Sequence, residues 1–216
     1  MTVLRVAGVI AVAYLLGGIP FGIVIGRRFF GVDVSDHGSG NTGATNVFRV
    51  LGWKAAVPSA LLDIAKGALA TLLAIWLADP RWGVEWRDWF AIAAGMSAVL
   101  GHMYSPYLRL RGGKGVATAG GVILVLQPLA LALLLLSFVG LIAIVRIVSV
   151  ASVVAAIEYP ILMWLLYADR PAFVIFAVVA AASVVWAHRS NIRRIFRGEE
   201  PRIDRKLSDY AKGPQA

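Results

Sequence analysis

The sequence predicts an all-α integral membrane protein of seven transmembrane helices, some short or broken, with the amino terminus outside and the carboxyl terminus in the cytosol. Three observations carry this expectation. Of 216 residues, 59% are hydrophobic and only 15% charged, whereas a soluble domain carries about 25% charged residues. The mean hydropathy is +0.77. Uncharged stretches suited to about 30 Å of hydrocarbon alternate with short segments crowded with Gly, Ser, Asn, Arg, Lys and His.

Taken in order, the first span is 3–26, uncharged from Val6 onward. It is too long for a secretory signal and lacks a convincing cleavage site. The second is 55–78, and the third is 89–108, uncharged apart from His102. The run 115–145 is harder to place: as one straight helix it would measure about 46 Å, too long for a single crossing. Gln127-Pro128 stands at its middle, and proline breaks a helix by removing a donor and clashing with the preceding turn. The break makes this run the fourth and fifth spans, with 147–167 and 172–187 as the sixth and seventh.

Parity then sets which side each polar segment faces, and the distribution of basic residues supports the break. With seven spans, one side holds Arg27, Arg28, Arg49, Lys54, Arg109, Arg111, Lys114, Arg146 and every Lys and Arg from Arg189 onward. The other holds only Arg5, Arg81, Arg87 and Arg170. Cytoplasmic loops carry the excess of Lys and Arg, so the first side is the cytosolic one. With six spans the basic tail would face outward. The helical domain is expected to be 1–197, followed by a polar cytosolic tail, 198–216, that frays. No repeat or second domain is evident.

The absence of cysteine excludes disulfides and thiol catalysis. A net charge of +9 would suggest nucleic acid in a soluble chain; here it fits orientation and attraction to anionic lipid, with no nucleic-acid partner.

Three polar segments carry the chemistry. The first contains Gly38, Ser39, Gly40, Asn41, Thr42, Gly43, Ala44, Thr45 and Asn46, followed by Arg49. Its glycines match the dinucleotide fingerprint G-x-G-x-x-G, and Asp63 lies 20 residues beyond Gly43. That fingerprint requires a preceding strand and a βαβ unit, whereas here an apolar span precedes it. What survives is the physics: glycines turn backbone N–H groups toward an anion or cap a helix start, hydroxyls and amides add donors, and Arg49 adds a fork suited to phosphate.

The second segment is Arg111-Gly112-Gly113-Lys114-Gly115. A Walker A loop requires Ser or Thr after the Lys, so a nucleotide triphosphatase is not expected. Three glycines around a Lys still allow close approach to a phosphate. In the third, His188-Arg189-Ser190-Asn191, His188 is the candidate general base near neutral pH. Asp63 and Lys66, three apart within a span, share a helix face and can pair. Glu158 is expected to make a buried hydrogen bond to another helix.

The order and spacing of these segments resemble the PlsY family, the bacterial membrane acyl-phosphate:glycerol 3-phosphate acyltransferases. The resemblance covers nearly the whole chain. It includes Gly18-Ile19-Pro20-Phe21-Gly22, the run from Gly38 to Arg49, and Leu62-Asp63-Ile64-Ala65-Lys66-Gly67. Gly101-His102-Met103-Tyr104-Ser105-Pro106, the run from Gly112 to Thr118, and His188 to Ile192 also match. Arg111 stands where Lys is expected in relatives, with the charge kept.

The resemblance implies transfer of a fatty acyl group from acyl-phosphate to the first hydroxyl of glycerol 3-phosphate, giving lysophosphatidate and phosphate. This would be the first acylation of phospholipid synthesis. It implies a multi-pass protein of the bacterial cytoplasmic membrane, with the active site facing the cytosol. The sequence leaves the oligomeric state open, with a monomer favoured. No cofactor or metal is expected, because acyl-phosphate is already an activated anhydride.

The acyltransferase pattern of His with Asp five positions on is absent: Thr42, Tyr107 and Arg193 stand five after His37, His102 and His188. A different mechanism is therefore required. Direct attack by the glycerol hydroxyl is expected, because acyl-phosphate is already activated and no obvious base adjoins Ser39 in sequence; its proton would pass to His188 or a substrate phosphate, and the alternative acylates Ser39.

The expected catalytic residues are Ser39, Arg49, Lys114, His188 and Asn191. Substrate binding is assigned to Gly38, Gly40, Asn41, Gly43, Thr45, Asn46, Lys66, Gly112, Gly113, Gly115 and Thr118. Arg49, Lys66 and Lys114 would clamp phosphate; Ser39, Asn46, His188 and Asn191 would orient glycerol 3-phosphate. The competing class is a transporter of a phosphorylated anion, which would place its polar groups near the midplane in inverted repeats; here they gather at one face.

Overall fold

The structure, a computed structural model, describes residues 2–203. Ten α-helices occur among the described residues: α1 (Thr2–Gly18), α2 (Phe21–Phe30), α3 (Ala44–Leu51), α4 (Trp53–Leu77) and α5 (Val84–Met103), then α6 (Val116–Leu126), α7 (Pro128–Val145), α8 (Val148–Leu166), α9 (Pro171–Ala187) and α10 (Arg189–Phe196). Single 3₁₀ turns occupy Val34–Asp36 and Pro106–Leu108.

Three helices, α4, α7 and α8, are each long and apolar enough to cross a membrane alone. Two bent pairs, α1 with α2 and α9 with α10, bring the number to as many as five, with bends of 41° and 58°. Leu61, Leu72, Trp76, Leu136, Ile144, Trp164, Leu165 and Trp186 lie exposed along these helices. So large an apolar surface is foreign to a soluble monomer and is what lipid requires.

Proline and glycine explain where the helices depart from the expected boundaries. The first span breaks at Ile19-Pro20, and the chain restarts as α2 to reach Phe30. The third begins earlier, at Val84, and ends at Met103, because the residue before Pro106 is biased away from the helical region. The long run divides at Gln127, which separates α6 from α7.

Both ends of that run lie on one side of the molecule. At its start, Lys114 Nζ donates to Asn191 Oδ1. At its end, Ser149 Oγ, in the first turn of α8, donates to Glu200 Oε1 at 2.8 Å. Glu200 Oε1 in turn accepts from Asn191 Nδ2 at 2.6 Å. A straight helix would hold these ends about 46 Å apart; the Gln127 corner brings them together.

Close backbone approach holds the bundle. A Cβ at Gly101 of α5 would lie 2.1 Å from Tyr14 O of α1, and one at Gly67 of α4 would lie 2.1 Å from Thr118 O of α6. With lipid as apolar as leucine, small residues of this kind let helices associate through van der Waals contact. The largest apolar core joins α5, α6, α7, α8 and α9 around Val99, Val122, Met163 and Phe176.

The segment after Arg197, expected to fray, is tied down through Ile203. Glu199 N donates to Arg194 O at 2.8 Å, and Ile203 N to Arg146 O at 2.9 Å. The rest of the expected tail, 204–216, lies outside the described residues.

Candidate active site

The first polar segment leaves α2 through Gly31, folds through the 3₁₀ turn and enters α3 at Gly43. Asn46, only 2% exposed, organises it. Its Oδ1 accepts from Ser39 N at 2.8 Å and from Ser39 Oγ at 3.1 Å. Its Nδ2 donates to Val34 O at 2.8 Å and His37 O at 3.1 Å. The amide that was expected to orient substrate is thus committed to shaping its own loop. Asn41 does the same over a shorter range, its Oδ1 accepting from Gly43 N at 2.9 Å.

Gly38 and Gly40 adopt positive φ in this loop, a conformation that costs any residue with a Cβ about 1–2 kcal/mol. Ser39 is exposed and Thr45 half-buried. Arg49 sits half-buried in the last turn of α3. Among the described residues its guanidinium has no hydrogen-bonding or ion-pair partner, so its donors are uncommitted.

The second segment is built on the end of α5. Helix C-termini leave carbonyls without intrahelical partners. Here Gly112 N takes the Met103 carbonyl and Gly113 N takes the His102 carbonyl, each at 3.0 Å. Arg109 and Leu110 turn the chain back through left-handed conformations, φ 50° and 62°. Gly115, at φ 80°, then opens α6.

Lys114 leaves this loop half-buried and reaches the third segment through Asn191 Oδ1. Burial pushes its amine down to about 8, with Glu200 opposing the fall and Arg194 and Arg49 adding to it. The influence of Arg49 sets the first segment beside the second.

His188 and Asn191 are both buried and three residues apart at the start of α10, on one face. His188 Nδ1 lies 2.8 Å from Val184 O. A carbonyl can only accept, so the proton resides on Nδ1 and Nε2 is left as an acceptor. Asn191 bridges Lys114 and Glu200.

Sequence reasoning missed Glu200. Only 6% exposed, it accepts from Asn191, from Ser149 and, at 2.7 Å, from Arg194 Nε. Burial alone would raise its carboxyl, but the hydrogen bonds from Asn191, Ser149 and Arg194 outweigh it and hold the group below the usual carboxylate range. Nothing in a polar stretch after Gly198 marks one glutamate as buried.

Two expected substrate residues face inward instead. Lys66, 1% exposed, has Nζ 2.8 Å from Asp63 Oδ1 and donates to Ile19 O at 2.8 Å. Thr118 is fully buried against Gly67. Both side chains are enclosed by neighbouring helices. Glu158 does accept a hydrogen bond from another helix, from Ser137 Oγ at 2.8 Å, but remains partly exposed.

Arg49, Lys114, His188 and Asn191 therefore gather at one end of the bundle, beside the Gly112–Gly115 loop. Two cations, one without an anionic partner among the described residues, with an acceptor imidazole nearby, suit a dianionic phosphate and transfer of a hydroxyl proton. The fall of Lys114 to about 8 gives a pH prediction. The amine is charged below that value and neutral above it, so the KM of a phosphate substrate should rise as pH passes through about 8. A Lys114→Arg variant should carry the rise to higher pH; coincident KM profiles for the two would remove Lys114 from phosphate binding.

Comparisons with known proteins converge on one family. The family model described as Glycerol-3-phosphate acyltransferase matches residues 7–198. A glycerol-3-phosphate acyltransferase of Synechococcus sp. (strain CC9902) is 46% identical, covering 91% of this chain and 94% of its own. One from Thermosynechococcus vestitus is 42% identical, over 94% and 98%. The crystal structure of PlsY, an integral membrane glycerol 3-phosphate acyltransferase, in its glycerol 3-phosphate form superposes with a TM-score of 0.83. It is 36% identical, and 96% of this chain and 99% of that one are covered. The lysophosphatidic acid form gives a TM-score of 0.81 at 37% identity, over 91% and 94%.

Proposed function

The chain belongs to the glycerol-3-phosphate acyltransferase family, and we propose that it transfers a fatty acyl group from acyl-phosphate to the first hydroxyl of glycerol 3-phosphate. It is an integral membrane acyltransferase of phospholipid biosynthesis; the donor, mechanism and residue roles constitute the proposal. The observation that carries it is Arg49, without an anionic partner among the described residues, set near Lys114 beside a glycine loop. Both substrates and the leaving group are phosphates, and such a site serves all three.

The glycerol hydroxyl oxygen attacks the acyl carbonyl carbon, forming the new ester C–O bond. The bond from that carbon to the phosphate oxygen breaks, and inorganic phosphate leaves with the electron pair. The hydroxyl proton passes to His188 Nε2 or to a phosphate oxygen. Arg49 and Lys114 stabilise charge growing on the carbonyl oxygen and the leaving phosphate. Gly112, Gly113 and Gly115 let the backbone approach the phosphate. Asn191 holds Lys114 in place, and Asn46 shapes the Ser39 loop.

Direct attack is favoured over an acyl-Ser39 intermediate. The Ser39 hydroxyl donates to the Asn46 carbonyl oxygen, and no hydrogen bond joins it to His188 among the described residues. A nucleophilic serine needs an adjacent base.

We place the protein in the bacterial cytoplasmic membrane as seven spans, counting α1 with α2, then α4 to α9, with the active site facing the cytosol. The return of the α6–α7 run to its starting side supports an odd number of crossings.

Phosphate release by purified protein in lipid, given palmitoyl-phosphate with and without glycerol 3-phosphate, tests the reaction. Release that needs both substrates, with lysophosphatidate appearing in step, is expected. Absence of turnover from folded protein would remove the donor assignment. Intact mass of the enzyme held with palmitoyl-phosphate alone should show no palmitoyl adduct; an adduct lost in Ser39→Ala would overturn direct attack.

A further inference from the structure

One group of buried titratable residues plays no part in the chemistry above. Asp63 and Lys66 on α4 are each 1% exposed, and His102 in the last turn of α5 is 6% exposed. Removing charges from water to this depth is costly, and apolar residues of similar volume often serve stability equally well. What the cluster touches beyond itself is therefore informative.

Lys66 Nζ donates to Ile19 O at the break between α1 and α2 and lies 5.7 Å from the centre of the Phe21 ring. His102 Nδ1 lies 3.6 Å from Asp63 Oδ1, an electrostatic contact longer than a hydrogen bond. The opposite edge of the imidazole is the significant one: a Cβ built on Gly113 would fall 2.0 Å from His102 Nε2. Gly113 N also donates to the His102 carbonyl. The glycine loop is thus seated on His102 by backbone and ring together.

We propose that His102, held by the Asp63–Lys66 pair, is a positioning residue for the glycine loop: its imidazole is the floor on which Gly112 to Lys114 rest, and fixes how Lys114 meets phosphate. The proposal rests on the reading that this loop binds a substrate phosphate. The ion pair sets the orientation of the ring, and Ile19 ties the pair to the α1–α2 break. Gly113 is required because any side chain there would occupy the space of the imidazole edge.

A double-mutant cycle with Gly113→Ala and His102→Ala tests this, read as the KM of each substrate and, independently of turnover, as the thermal shift produced by inorganic phosphate. Gly113→Ala alone should raise the KM of one phosphate substrate by about tenfold, with a smaller change in kcat, and adding His102→Ala should recover most of that loss. Single effects that simply multiply would overturn the proposal. His102→Asn keeps a donor toward Asp63 but leaves room over Gly113; it should unfold at the wild-type temperature yet show the raised KM. A wild-type KM in that variant, or loss confined to kcat and stability, would also overturn it. Failure of wild-type protein to turn over palmitoyl-phosphate would count against the proposed reaction alone, since the phosphate thermal shift still reads the cycle.

Discussion

Arg49→Ala is expected to lower kcat/KM by at least about 100-fold, the usual effect of deleting one preorganised donor from a developing anion, while leaving the fold intact. Arg49 ends α3 half-buried and makes no hydrogen bond or ion pair among the described residues, so its removal orphans no protein group. Its field reaches Lys114, where it adds to the lowering of the amine. Two cations this close repel one another unless an anion lies between them. Steady-state kinetics beside thermal unfolding in the same detergent separate the effects. Near-normal turnover would end the clamp assignment; a large loss of thermal stability would show Arg49 to be structural. Lys114→Ala should behave similarly in rate, but it also strips Asn191 of its donor partner.

The second large effect is on folding. Glu200→Ala should destabilise the protein by about 3–5 kcal/mol, as expected when one member of a buried charged network is removed. Asn191 Nδ2, Ser149 Oγ and Arg194 Nε would each lose their acceptor, and Asn191 would no longer be held against Lys114. Glu200→Gln keeps one acceptor oxygen and should lose less. The pH dependence has a definite sign. Because the folded carboxyl titrates below its ordinary value, its contribution is complete at neutral pH and is lost as pH falls below about 4.5 through the folded value. Unfolding midpoints of wild type and Glu200→Ala should therefore converge in acid. Constant separation down to low pH would show that Glu200 is not ionised in the fold.

The two variants differ in how readable their positions were. Arg49 could be chosen from sequence because its signal is local: a cation placed three residues after a run of glycines, hydroxyls and amides, next to an apolar span. The loop around Lys114 is legible for the same reason, as is the Gln127-Pro128 break, where a single backbone donor is missing. Glu200 could not be chosen. Its partner Ser149 is 51 positions away, and no local pattern distinguishes it from Glu199. Lys66 was hard to place for the complementary reason. A lysine near glycines suggests an anion, but its fate depends on Ile19, 47 positions away, and on how α4 is rotated against its neighbours.

The sequence by itself determined that the chain is helical and membrane-embedded, that its longest apolar run breaks at Gln127-Pro128 and which three segments are polar. Hydropathy, proline and glycine act within one turn or one span, so they are written locally. Only the tertiary structure decided which polar side chains are buried among the helices and which stay at the polar end of the bundle. Asn46, Lys66 and Thr118 were turned inward, while His102 and Glu200 were recruited beneath the site. The reason is physical: in a bundle, a side chain's surroundings are supplied by other helices, and helix rotation and register are fixed by packing across many residues.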